Sequence, residues 1–181
     1  MRGFTLIEVV IVIGLVSVLS LVLSLFFVSA HTTYQFQTAS LEAHEAASMA
    51  LYDVHEALLP ASHVRASESF ESGRYTSGSN EVIVALPAMR SSGELVEGAH
   101  DYIALYMRDG SLYRELRPAP ESARRAGVRR LAAVERFSIT YDRPQPVDAR
   151  SLTIEIEAVR TTRDETATAQ VRQTVYLRNA P

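Results

Sequence analysis

From Phe4 to Val28 the chain reads FTLIEVVIVIGLVSVLSLVLSLFFV, broken by a single charge, Glu8, and a few small polar residues. A run of about 20 apolar residues is long enough to cross a bilayer as a helix. This stretch therefore has to lie in lipid or be wrapped on every side by protein. Glu8 stands near its start, and an acidic residue deep in a membrane helix costs about 2.5–3.5 kcal/mol, less near the interface. A carboxylate kept in such a place calls for a partner.

Two ordinary readings of residues 1–30 are open. One positive charge, Arg2, precedes the span, which orients it with its N-terminus cytoplasmic and the rest of the chain outside. That suits a permanent single-span anchor. A secretory signal peptide has support from Val28-Ser29-Ala30 before His31, a small-x-small cleavage pattern. Against it, the apolar region far exceeds the usual stretch of about 7–15 residues and would contain Glu8.

The apolar run inflates the overall hydrophobic content of 47%, and residues 1–30 hold one base and one acid. The remaining residues carry 17 arginines against 20 acids, so the chain is not basic enough overall to imply a polyanion partner. There is no lysine and no cysteine, hence no disulfide framework and no thiolate metal site.

Residues 31–59 contain no Gly or Pro and are rich in Ala, Leu and Glu. Their apolar positions, Phe36, Ala39, Ala43, Ala47, Leu51, Val54 and Leu58, step by three or four, the stripe of an amphipathic helix. A helix from Phe4 to Leu59, ended by Pro60, would be about 80 Å long. Gly14, Ser17, Ser20 and Ser24 fall near one face, where small residues allow close helix approach or serines bond back to their own turn.

After Pro60 the texture becomes that of an antiparallel sheet. Residues 61–80 read as loop with a short strand near His63–Ala66, and strands are expected at Glu81–Leu86, Tyr102–Arg108 and Leu112–Leu116. Asp109-Gly110 is a hairpin turn that sets Met107 against Leu112, Ile103 against Leu116 and Tyr106 beside Tyr113, although Arg114 breaks the aliphatic face. Residues 117–133 read as a Pro/Ala/Arg-rich connector. Arg136–Tyr141 alternates with Phe137, Ile139 and Tyr141 inward, and residues 143–148 are loop. Leu152, Ile154 and Ile156 alternate with polar residues, and a last strand spans about Ala169–Arg178 with Val171, Val175 and Leu177 on one side. One long helix on an antiparallel sheet is an α+β plan.

No catalytic constellation is present. His44-Glu45 and His55-Glu56 open like the helical zinc motif HExxH, but Ser48 and Leu59 stand where the second histidine belongs. The two histidines would lie about 16 Å apart along a helix, too far for one metal. No G-x-S-x-G and no glycine-rich phosphate loop occurs, so a non-enzymatic chain without cofactor or metal is expected. Arg124, Arg125, Arg129 and Arg130 cluster in a stretch with one acid, Glu121. They form either an anion- or DNA-contacting patch or a solvated connector that touches a partner. Without interleaved aromatics or a known binding module, nucleic acid is the less favoured.

The run Arg2-Gly3-Phe4-Thr5-Leu6-Ile7-Glu8-Val9-Val10 resembles the N-terminal signature of type IV pilins and type II secretion pseudopilins. The resemblance covers about the first 28 residues. It implies that a prepilin peptidase cuts between Gly3 and Phe4 and methylates the new N-terminus at Phe4. It implies that Glu8 pairs with the terminal amine of a neighbouring subunit, and that Thr5 adds a hydrogen bond near that junction. Its further implications are other major and minor pilins and an inner-membrane assembly platform as partners, a single-pass position in the bacterial inner membrane, and a pilin-like α+β fold. On this reading residues 1–3 are leader, 4–30 the transmembrane or filament-core helix, 31–59 its amphipathic continuation and 60–181 the β-rich domain. The chain's own bases fit that picture: the only one near Glu8 is Arg2, in the leader, and the next is Arg65.

More loosely, the remainder resembles pseudopilin J and PilW-like minor pilins. The likeness lies in Asp53-x-His55-Glu56-Ala57-Leu58, Tyr-rich short strands, Leu112-Tyr113-Arg114-Glu115 and Tyr176-Leu177-Arg178-Asn179. Major pilins commonly carry a proline late in the apolar helix, and none occurs here before Pro60, which leans toward a minor pilin or pseudopilin; the role expected of such a subunit is to initiate or cap a filament. Glu8 sets the chain apart from the K-type pseudopilin. The competing class is a membrane-anchored or secreted β-rich binding domain outside any filament.

Overall fold

The computed structural model describes residues 5–163 and 165–178. Helix α1 runs unbroken from Leu6 to Leu58, 53 residues, with Thr5 as its N-cap and Leu59 as its C-cap. At 1.5 Å per residue this is about 80 Å. Pro60 ends it, having no N–H to continue the ladder. Every residue from Thr5 to Tyr34 is exposed, and the first buried position is Gln35. Within the bare half, the Ser17 hydroxyl donates to the Ile13 carbonyl at 2.8 Å and Ser24 to Ser20 at 2.9 Å. These serines thus satisfy themselves inside their own helix.

The second half of α1 buries Gln35, Ala39, Ala43, Ala47, Ala50, Val54, Ala57 and Leu58. Phe36, expected inward, is half exposed, and Leu51 is only partly buried. The reason is geometric. Successive steps of four overshoot the helical period by about 40° each, so the contact line drifts round the helix and takes Gln35 in place of Phe36. Alanine dominates the line because a sheet can approach a helix closely only where side chains are small.

Ten strands follow: β1 (His63–Arg65), β2 (Ser67–Phe70), β3 (Gly73–Thr76), β4 (Glu81–Met89), β5 (Leu95–Arg108), β6 (Ser111–Arg117), β7 (Gly127–Ala133), β8 (Arg136–Tyr141), β9 (Ser151–Thr162) and β10 (Glu165–Tyr176). All pair antiparallel, in a five-stranded sheet ordered β1-β4-β5-β6-β7, a three-stranded sheet ordered β10-β9-β8, and the small β2-β3 hairpin. The helix lies mainly on β9 and β10, with β7 at its flank. Its lower half and the inner faces of both larger sheets enclose one core, in which Val54, Val84, Leu105, Phe137, Ile154 and Ile156 are sealed from water. Each such side chain contributes about 1.5–3 kcal/mol by leaving water. A second cluster, Phe70, Ile83, Ala104 and Tyr106, fills the opposite face of the five-stranded sheet beneath the β2-β3 hairpin.

The α+β plan is therefore as the sequence implies, and the central hairpin is so in detail. Met107 pairs with Leu112, Ile103 with Leu116 and Tyr106 with Tyr113. Asp109 and Gly110 both take positive φ, 48° and 65°, the turn that matches the twist of two strands. Three expectations need correction. Residues 61–80 carry the expected short strand, β1, but are otherwise not mainly loop, because they also hold the β2-β3 hairpin. Residues 117–133 are not all connector, because Gly127–Ala133 pairs with β6. Adjacent Arg129 and Arg130 hide that alternation, and a shift of register between Leu112 and Tyr113 lets the strand pair nonetheless. Strand β4 continues through Pro87 to Met89. Strand β1 reaches only Ala85, so beyond it β4 is an edge, where proline is tolerated.

His63 on β1 meets His100 on β5 edge to face, with ring centroids 5.4 Å apart. Burial, reinforced by His100 and Arg65, holds the His63 imidazole below its ordinary value. The unfolded chain therefore takes up this proton at a higher pH than the folded one. The site's contribution to stability is complete above the ordinary histidine value of about 6.5 and is lost as pH falls below it. Thermal melts of the full chain in detergent micelles should show Tm falling between about pH 7 and about pH 5, and His63→Gln should flatten that slope.

Candidate functional site

The head of α1 is built from Thr5-Leu6-Ile7-Glu8. The Glu8 carboxylate oxygen Oε2 accepts from both the Thr5 N–H and the Thr5 hydroxyl, at 2.9 Å each. In return the Thr5 hydroxyl accepts from the Glu8 N–H at 3.4 Å. This is a reciprocal capping box, and it satisfies N–H groups that a helix start leaves orphaned. In lipid such orphans find no water. Thr5 and Glu8 are thus brought together, while Gly3 and Phe4 lie outside the described residues. The other Glu8 oxygen, Oε1, accepts no hydrogen bond among the described residues and has lone pairs for a further donor. The box has a plain sequence signature, T-x-x-E before an apolar run. It supplies Glu8 with a neutral partner in its own chain, a residue away from the proposed cleavage point.

Behind this head, the helix is apolar all round and uncovered. Leu6, Leu15, Leu21 and Phe27 are each more than 60% exposed, a state that water does not tolerate over seven turns. The uncovered surface continues into the domain-bearing half. Tyr34, Leu41, Tyr52 and Leu59 are exposed, and with Ser48 they recur at steps of seven or four on the side opposite the buried stripe. That spacing makes a continuous line along one side of the helix.

The arginine cluster is divided by the fold. Arg124, Arg125 and Arg129 meet around a groove of about 440 Å³ between the end of α1 and strands β5 and β6. Arg114, which breaks the apolar face of β6, joins them there. Arg130 leaves the group and hydrogen-bonds the Ser111 hydroxyl at 3.0 Å on the other face of the sheet. Arg124 has a structural duty: it donates to Asp101 at 2.5 Å and to the Pro87 carbonyl at 2.8 Å. Asp101 is wholly buried and also accepts from the Ala119 N–H and the Ser122 hydroxyl, both at 2.8 Å, which pins residues 119–124 to β5. Nothing in the sequence marked Asp101, because its partners come from a segment with no periodicity.

Comparison with known proteins bears on the head of the chain. A family model of the prokaryotic N-terminal methylation motif matches residues 1–24. The match spans Gly3, Phe4, Thr5 and Glu8 and much of the apolar half of α1. It supports a type IV pilin-like N-terminus and, with the bare apolar helix, anchoring in a membrane by that one helix. Searches of curated proteins and of solved structures returned no match.

Removing the Arg124 guanidinium leaves Asp101 buried without its counter-charge. Arg124→Ala should destabilise the domain by about 3–5 kcal/mol, whereas the exposed neighbour change Arg125→Ala should stay within about 0.5 kcal/mol. Denaturant titration of the full chain in detergent micelles measures both.

Proposed function

We propose that the chain is a minor pilin or pseudopilin, a non-enzymatic subunit made as a membrane-inserted precursor and assembled near the tip of a type IV pilus or a type II secretion pseudopilus. The observation that carries this reading is the uncovered first half of α1, headed by the Thr5–Glu8 box and overlapping the methylation motif. A plain anchor accounts for the apolar surface and for an acid that caps its helix, but not for the methylation motif at residues 1–24. A filament accounts for the motif as well, and in it a neighbouring subunit brings helices against the line of Tyr34, Leu41, Tyr52 and Leu59 and a terminal ammonium to Glu8.

In this reading a prepilin peptidase cuts after Gly3 and methylates Phe4, and Phe4 then directly precedes the cap residue Thr5. Glu8 acts as a register device. Its carboxylate, already held by Thr5, gains a counter-charge only when a neighbour's amine stands at the correct height, and an unpaired charge in an apolar core disfavours every other stagger. Other pilins and an inner-membrane assembly platform are the partners, with the β-rich domain outside the membrane.

Mass spectrometry of the N-terminus of the protein purified from membranes should find a mature chain beginning with N-methylated Phe4. A chain beginning at His31, or one retaining Met1, would sink the filament reading. Glu8→Ala should insert into membranes as the parent does and be depleted from sheared filaments, measured by immunoblot of membrane and filament fractions. Normal incorporation of that variant would remove the register role.

A further inference from the structure

The core-facing side of β6 carries Leu112, Arg114 and Leu116 in succession. Leu112 is fully buried, and Arg114, like Leu116, is half-buried. Across the ladders Arg114 stands directly opposite Leu105 on one side and Arg129 on the other. Like charges in that relation destabilise a sheet. Arg129 reaches Asp53 of α1 at only 3.9 Å, and the side chains of Arg114 and Arg125 make no ion pair or hydrogen bond among the described residues. With Arg124, these arginines rim the groove at the end of α1, whose one acid is Glu56 and whose floor is Leu86, Ile103 and Leu116. The chain has more acids than bases, 21 against 18, yet places none but Glu56 there. A leucine at position 114 would suit the sheet better.

Such a site wants carboxylates from outside and a side chain to cover its floor. A nucleic acid would use the arginines but not the floor, and no aromatic lines the groove to stack a base. Guanidinium forks match carboxylates two bonds at a time. We propose that this groove binds an extended acidic segment of another protein chain, with carboxylates on Arg114 and Arg125 and an apolar side chain laid over Leu86, Ile103 and Leu116. The groove adjoins Ala57 and Pro60, about 70 Å along the helix from Glu8, so this partner is met well away from the membrane. The site goes beyond the filament role and does not depend on how the N-terminus is processed.

The test is fluorescence anisotropy at low salt, with the full chain in non-ionic detergent micelles and a labelled acetyl-Glu-Leu-Glu-Leu-Glu peptide. Saturable binding is expected, absent for the lysine counterpart of the peptide. It should weaken about tenfold in Arg114→Gln and again in Arg125→Gln. Arg172→Gln, on the exposed face of β10, should leave it unchanged. Arg114→Gln should melt no lower than the parent, which separates lost recognition from lost folding. The proposal is overturned by absence of saturable binding or by binding indifferent to both substitutions. It is equally overturned if oligothymidylate binds through these two arginines more tightly than the peptide. A concentration-dependent dimer that Arg114→Gln dissolves and the peptide does not displace would assign the groove to a second copy instead.

Discussion

Close contact between a line of alanines on α1 and the strands β9 and β10 decides the shape of this protein. Ala39, Ala43, Ala47 and Ala50 are sealed from water and let the helix lie tight on the sheet. That grip holds only the second half of a helix about 80 Å long. The first half projects beyond it, apolar on every side, and nothing among the described residues covers it. The second half of the helix and the sheets enclose a core of their own, but the helix head requires lipid or neighbours.

The charges follow the same division of labour. Within the domain, Asp101 is buried and fully answered by Arg124, Ser122 and the Ala119 N–H, and the pair serves to hold a connector in place. At the two ends, charges are answered incompletely. Glu8 has Thr5 but no counter-charge among the described residues, and Arg114 has an arginine across the ladder where an aliphatic residue would fit.

Much of the β-domain was legible because alternation and one turn sufficed. Asp109-Gly110 fixes the hairpin register, and Phe137, Ile139, Leu152, Ile154 and Ile156 alternate cleanly on strands buried on one face. Strand β7 was not legible, since Val128, Arg129 and Arg130 show no period and its own register shifts at Leu131, which is left unpaired between Arg130 and Ala132. The β2-β3 hairpin was hidden by Ser, Glu and Gly, its stability coming from Phe70 and Tyr75 packed over Ile83 and Tyr106. Of the candidate site, Glu8 drew notice by its cost in an apolar run. The capping box is written in the sequence as T-x-x-E, but the cost of a charge in an apolar run points to a charged partner, whereas Thr5 is a neutral one.

The sequence by itself determined that a long apolar helix begins the chain, that an acid stands at its head, and that a one-face-buried antiparallel sheet follows. Those are local properties, set by composition, period and turn chemistry over a few residues at a time. Only the tertiary structure decided that the covered line of α1 takes Gln35 in place of Phe36, that Asp101 is buried with Arg124, and that Arg114 joins Arg124, Arg125 and Arg129 while Arg130 turns away. Each of these depends on segments far apart in sequence meeting at a distance of a few ångströms, and on a strand's period of two sending neighbouring arginines to opposite faces.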